Sequence, residues 1–169
     1  MKEALKRIKV LAMDVDGVLT DGKIIIDANG VETKNFDVQD GFGIVFIRQA
    51  GIKTAVISSR PSGVTKHRTD DLKIDKVFTG VYPKMGSYEQ MLKDFKVKDE
   101  EVCFVGDDLA DLAILKRVGF AVAVANAVFE IKKAADHVTQ RRGGDGAVRE
   151  VVEMILKAQG KWGPELYER

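Results

Sequence analysis

Short apolar runs alternate with longer amphipathic stretches along the whole chain. Ile8–Met13, Lys53–Ile57, Lys76–Phe78, Val102–Val105, Phe120–Val124 and His137–Thr139 are short and mostly β-branched or aromatic, which predicts strands. Between them Phe42–Ala50, Gly63–Asp71, Lys84–Phe95, Leu109–Val118, Val128–Ala134 and Gly146–Ala158 read as helices. In the last, Val148, Val151, Val152 and Ile155 recur at helical spacing. Strands that are apolar throughout, instead of alternating, are covered on both faces. The pattern therefore predicts an α/β fold, a doubly wound and mainly parallel sheet flanked by helices. One segment departs from this rhythm. Lys23–Asp27 and Val31–Asp37 flank Ala28-Asn29-Gly30, a strong hairpin signal that such a sheet does not require. It reads as a flap protruding after strand 1, over about residues 23–37.

No repeat or low-complexity linker divides the 169 residues, and the chain reads as one domain over 1–169. With 27 Lys+Arg against 26 Asp+Glu, the net charge of +1 gives no pull toward nucleic acid or an anionic membrane. The single cysteine, Cys103, excludes an internal disulfide framework and fits a reducing compartment. The longest apolar run, Val118–Ala125, is too short for a span of ~20 residues. The basic start, Met1–Lys9, is followed only by Val10–Met13 before Asp14, which is no signal-peptide core. The chain is expected to be cytoplasmic, with no membrane or nucleic-acid partner.

Open α/β sheets bind ligands beyond the carboxyl ends of their strands, and polar residues collect there. The first strand runs out as Asp14-Val15-Asp16-Gly17, the second ends Ser58-Ser59-Arg60, and the fourth ends Gly106-Asp107-Asp108, with Asp111 one turn on; Lys84 opens the helix after the third. In an extended segment Asp14 and Asp16 point the same way. Adding Asp107 makes a hard-oxygen cluster suited to Mg²⁺, which also binds substrate phosphate oxygens. Ser58 and Lys84 add a hydrogen-bond donor and a positive charge for a transferring phosphoryl group. Taken singly, each of these has a plain structural reading as an Asx turn, a helix cap or a surface lysine. Their conjunction on four consecutive strand ends points to phosphoryl chemistry. Cys103 and His137 read as core and structure, His67 as helix surface with an approach to the substrate as the alternative, and the Arg141-Arg142 pair as a solvated loop or an anion site.

Asp14-Val15-Asp16-Gly17-Val18-Leu19-Thr20, Ser58, Lys84 and Gly106-Asp107-Asp108-x-x-Asp111 resemble, in this order and across the whole chain, the four motifs of the haloacid dehalogenase superfamily of phosphotransferases. The resemblance implies an aspartyl-phosphate mechanism. Asp14 would be nucleophile and Mg²⁺ ligand, Asp16 general acid and base with its backbone carbonyl on the metal, and Asp107 the remaining protein ligand. Asp108 and Asp111 would support them, and Ser58 and Lys84 would hold the phosphoryl oxygens. Only 43 residues separate Asp14 from Ser58, and 25 separate Ser58 from Lys84. Neither interval, once the hairpin and helices are placed, has room for a cap domain of about 50 residues.

Within the superfamily, Asp14–Gly22, Phe36–Ile44, Gly106–Leu109 and Gly143–Glu150 look like the 3-deoxy-D-manno-octulosonate 8-phosphate phosphatases of lipopolysaccharide synthesis. That likeness implies a homotetramer assembled through the hairpin. It also implies an acidic sugar-phosphate substrate, contacted by Asp16, Asp37, Gln39, Asp40, Gly41, Arg60, Arg68 and Lys84. Ser59, Gln39 and Val45 depart from that group's usual residues. A related nonulosonate 9-phosphate and a non-catalytic assembly module are the alternatives.

Overall fold

In a computed structural model, residues 2–168 are described. A first helix α1 (Lys2–Arg7) precedes β1 (Val10–Met13), and a ribbon of β2 (Ile25–Ile26) and β3 (Glu32–Thr33) follows. Then come α2 (Val38–Gln49), β4 (Lys53–Ser58), α3 (Gly63–Asp71), β5 (Lys76–Thr79), α4 (Met85–Phe95) and β6 (Val102–Gly106). The chain continues through α5 (Leu112–Leu115), β7 (Phe120–Ala123), α6 (Phe129–Ala134), β8 (His137–Val138), α7 (Ala147–Ala158) and α8 (Pro164–Tyr167).

Six strands form a parallel sheet in the order β5-β4-β1-β6-β7-β8. The α/β expectation holds. From β1 the chain adds strands on one side and then returns to the other, so the order switches at the β1–β6 edge. There the helices diverge and leave a crevice at the strand ends. The registers Met13↔Val56 and Met13↔Val105 bring the ends of β1, β4 and β6 level. All side chains of β1, β6 and β7 are buried, as the unbroken apolar runs require. Helices α1, α2 and α7 pack together, while α4, α5 and α6 make a second group.

Several boundaries differ from those the periodicity suggested. Helix α2 begins at Val38, four residues before Phe42, because Asp37 caps it by accepting from the Gln39 and Asp40 backbone N–H groups at 2.6 and 3.0 Å. That cap also ends the second hairpin strand early. The ribbon pairs only Ile25↔Thr33 and Ile26↔Glu32, as befits two strands with no third to pack on. The expected helix Leu109–Val118 is split into a 3₁₀ turn, Leu109–Asp111, and the short α5. The basic start folds as α1 with Leu5 buried.

Helices α2 and α7 approach closely. A Cβ on Gly43 would lie 3.2 Å from the Arg149 Cα, so a residue with poor helix propensity is used where the backbones nearly touch. The same interface supplies a cap. The N-terminus of α7 has no side-chain cap of its own; Asp40, reaching from α2, accepts from the Arg149 N–H at 2.8 Å. The Trp162 ring packs within its own chain, edge-on to Phe46 at 5.9 Å and under the Arg149 guanidinium at 5.0 Å. None of the described helices is long and apolar enough to cross a membrane.

Asp40 is 1% exposed, and burial, only partly offset by the backbone N–H groups it accepts from, pushes its pKa up to about 6. The folded state thus takes up this proton more readily than the unfolded chain, so Asp40 makes stability fall as pH rises from about 4 to about 6. Asp40→Ala should cost about 1–2 kcal/mol in denaturant unfolding by leaving the α7 N–H groups uncapped. Asp40→Asn, which keeps an acceptor, should cost less and flatten the pH dependence across that window.

Candidate active site

The site is built from the run-out of β1. Asp14 stays anchored to the sheet, its N–H donating to the Val105 carbonyl at 3.1 Å. Its Oδ1 accepts from the Val15 N–H at 2.6 Å and its Oδ2 lies 2.9 Å from Lys84 Nζ. The chain then turns sharply, with the N–H groups of Val18, Leu19 and Thr20 all converging on the Val15 carbonyl. Gly17 sits at φ +92°, where a Cβ would lie 2.0 Å from Asp107 Oδ2, so both the turn and the approach of β6 demand glycine. Asp16 stands at this turn and meets Lys34, whose Nζ is 2.5 Å from its Oδ1.

The carboxylates that do gather are Asp14, Asp107 and Asp111, each with a ligand atom within 4.8 Å of the others. Asp111 is fully buried, accepts from Lys84 at 2.6 Å and from the Asp107 N–H at 3.1 Å, and so holds the lysine and the end of β6 together. Lys84 itself is 2% exposed. Burial works against its charge, but Asp14 and Asp111 outweigh that and hold its pKa above the ordinary value. Asp108 accepts from the Leu109 N–H at 2.7 Å and caps the 3₁₀ turn.

Burial, reinforced by the other carboxylates, pushes Asp14 up to about 6 and Asp107 up to about 8; Asp111 is raised as well, chiefly by burial. One ammonium cannot neutralise three carboxylates, and Asp107 Oδ1 is buried with no hydrogen-bond partner among the described residues. A small hard cation suits this donor set. Of the expected carboxylates Asp14 and Asp107 lie in this group with Asp111, and Asp16 lines the same cleft.

A cleft of about 260 Å³ opens over the cluster, lined by Asp14, Asp16, Ser58, Arg60, Asp107, Asp108 and their neighbours. Ser58 is buried at the end of β4, its Oγ accepting from the Arg60 N–H at 3.4 Å. Arg60 is held by Glu32 at 3.0 Å and lies 3.8 Å from Asp16 Oδ2. The remaining residues expected to touch substrate do not line this cleft. Asp37 and Asp40 cap helices, and Gln39 accepts from Arg141 at 2.6 Å. Arg68 pairs with Asp71 at 2.9 Å and lies so close to Gly41 that a Cβ there would meet its Nη2 at 2.4 Å. A larger cleft of about 640 Å³, between Gln39, Arg141, Arg149 and Glu150, lies away from the carboxylates. The smaller cleft, which the Asp14 and Asp107 carboxylates line, is the site.

Sequence reasoning missed four supports. Lys34 and Glu32 come from the hairpin; their separation by two positions in a segment that reads as extended, which shares a face, was the available signal. Thr20 Oγ1 accepts from the Gly17 and Gly22 N–H groups at 3.3 and 3.2 Å. Asn126, just after β7, donates to the Gly17 carbonyl at 3.0 Å and accepts from the Gly143 N–H at 2.6 Å, clamping the Gly143–Gly146 segment onto the Asp14 loop.

Comparison with known proteins agrees with this geometry. The family model described as haloacid dehalogenase-like hydrolase matches residues 74–151. The 3-deoxy-D-manno-octulosonate 8-phosphate phosphatase of Haemophilus influenzae is 43% identical over 161 residues, covering 95% of this chain and 89% of its own. A crystal structure of the Moraxella catarrhalis phosphatase of that name, in complex with magnesium ion, phosphate ion and KDO, superposes with a TM-score of 0.93 at 39% identity, covering 95% of this chain and 92% of that one. The cobalt-bound form of the Haemophilus influenzae deoxy-D-mannose-octulosonate 8-phosphate phosphatase gives 0.93 at 40% identity over 98% and 99%. With its carboxylate cluster at the switch point and relatives this similar over nearly their full length, the chain belongs to the haloacid dehalogenase-like hydrolases, in the family of the 3-deoxy-D-manno-octulosonate 8-phosphate phosphatases.

Proposed function

We propose that this chain is a capless, Mg²⁺-dependent phosphoric monoester hydrolase. Its substrate is 3-deoxy-D-manno-octulosonate 8-phosphate, released as the free sugar acid and phosphate for lipopolysaccharide synthesis. The observation that carries the reading is the buried Asp14–Asp107–Asp111 cluster closed by Lys84 beneath an open cleft. The named relatives, one described with magnesium, phosphate and the sugar, supply the substrate.

In this reading Asp14, the Asp16 carbonyl and Asp107 hold the ion, which when bound neutralises charge on the ester and its nucleophile. An Asp14 oxygen attacks phosphorus, the P–O bond to the sugar breaks, and the departing alkoxide takes the Asp16 proton. Asp16 then removes a proton from water, which attacks the aspartyl-phosphate and frees phosphate, restoring Asp14. Ser58 and Lys84 hold the phosphoryl oxygens. Arg60, on the cleft wall, is assigned to the sugar carboxylate in preference to Arg68 and the 37–41 segment.

The single cysteine, fully buried, supports a reducing, cytoplasmic setting. Exposed Ile24, Ile25, Ile26 and Val31, on a ribbon too small to be stable alone, support assembly into a homotetramer through the hairpin.

Phosphate release over a panel of acidic and neutral sugar phosphates tests the reading. The octulosonate 8-phosphate should lead. A lead for a nonulosonate 9-phosphate would move the substrate, and no release from any ester would leave only an assembly role. Asp14→Asn should lower kcat by more than about 10³-fold with the fold intact. Chelation should stop turnover and Mg²⁺ restore it. Asp107→Asn removes a repelling buried charge, so it should raise the metal-free Tm and abolish the Mg²⁺-induced rise. Because protons compete for carboxylates raised to about 6 and about 8, the Mg²⁺ concentration giving half the thermal shift should increase as pH falls from 8 to 6.

A further inference from the structure

The loop that leaves β1 sets the Asp16–Gly17 peptide against the carboxylate cluster, since a Cβ on Gly17 would lie 2.0 Å from Asp107 Oδ2. In the reading above, the carbonyl of this peptide is a ligand to the ion. Its direction therefore matters, because Mg²⁺ demands near-ideal octahedral geometry. A peptide unit swings through coupled changes in ψ of its first residue and φ of its second, and glycine accepts φ of either sign. Gly17, required by the approach of Asp107, thus leaves the one backbone ligand of the set without a conformational restraint of its own.

Thr20 supplies that restraint. It is 1% exposed, and its Oγ1 accepts from the Gly17 N–H at 3.3 Å and the Gly22 N–H at 3.2 Å while donating to the Val15 carbonyl at 3.5 Å. A hydroxyl has one proton and two lone pairs, and all three are used. The Asp16–Gly17 bond is trans, so its carbonyl and its N–H point in opposite directions. Fastening the N–H to Thr20 turns the Asp16 carbonyl away from Thr20, and none of the described residues donates to that carbonyl. Asn126 takes the Gly17 carbonyl at 3.0 Å, but that oxygen belongs to the next peptide unit. We infer that Thr20 is a positioning residue for the metal, its hydroxyl locking the Asp16–Gly17 peptide in the orientation that presents the Asp16 carbonyl to the ion. This rests on the assignment of that carbonyl as a ligand.

A group that only braces the loop would change stability, whereas one that aims a ligand changes metal affinity. The test titrates Mg²⁺ calorimetrically into substrate-free protein, well below the Tm of the least stable variant, so that unfolding does not enter. Thr20→Val keeps the shape and loses the hydroxyl. It should raise the Mg²⁺ Kd about 10-fold, as loss of a group that orients a metal ligand does, and Thr20→Ser, which keeps the oxygen, should restore the affinity. Asn126→Ala loosens the same loop through the next peptide unit and should leave the Kd near that of the parent. An unchanged Kd in Thr20→Val, no rescue by serine, or an equal loss in Asn126→Ala overturns the inference. Should Thr20→Val not fold, Thr20→Cys, whose thiol is a weak acceptor of the same shape as the serine hydroxyl, carries the same test against Thr20→Ser: weaker Mg²⁺ binding by the cysteine variant supports the inference, and equal binding overturns it. Asp107→Asn is measured beside them. If it abolishes Mg²⁺ binding while loss of the Thr20 hydroxyl leaves binding intact, this inference fails alone; if Asp107→Asn binds Mg²⁺ as the parent does, the placing of the metal fails first.

Discussion

The structure turns on a buried cation between two buried carboxylates. Lys84 bridges Asp14, at the end of β1, and Asp111, beyond the end of β6. Removing either partner of such a group strands a charge away from water, at a cost of about 3–5 kcal/mol. The three elements must therefore fold as one unit. Even so the balance is incomplete, since Asp107 joins the same cluster and one ammonium leaves two negative charges over. Burial, with that deficit added to it, raises the carboxylates and suits the pocket to a divalent cation.

Around the cluster, loops that look unrelated in sequence hold one another in place. The Asp14 loop is clamped by Asn126 and by the Gly143–Gly144 backbone, with the Gly144 N–H donating to the Val18 carbonyl at 3.0 Å. That segment leads into α7, whose start is capped by Asp40 from α2. Packing of α2 on α7 is thus linked through hydrogen bonds to the placement of the proposed nucleophile, and the Trp162–Arg149–Phe46 stack reinforces the same helix pair.

The hairpin belongs to this network as much as to any surface. Its tip exposes isoleucines to solvent, while its base inserts Lys34 and Glu32 among Asp16, Arg60 and Ser62. One ribbon thereby presents an apolar face outward and a charged face to the cleft.

Much of this was legible in residue order alone. Unbroken apolar runs determined that the strands are parallel and covered on both faces, because only doubly buried strands can forgo alternation. Asp14, Ser58 and Asp107 could be named beforehand because each stands at the end of such a run, and Lys84 because it opens the helix after the next strand; parallel strands deliver their carboxyl ends to one edge. Where side chains go after the strand ends was not legible. The loop turns at Gly17, where Asp16 meets Lys34 from the hairpin, and Asp111, at the end of a 3₁₀ turn, joins Asp14 and Asp107. Asp37 caps its own helix, Gly41 makes room for Arg68, and Asp40 serves the α2 and α7 junction, a contact between segments some hundred residues apart. Periodicity reports which face of an element is buried; which polar groups share a buried space depends on loop geometry and long-range packing, and those exist only once the chain has folded.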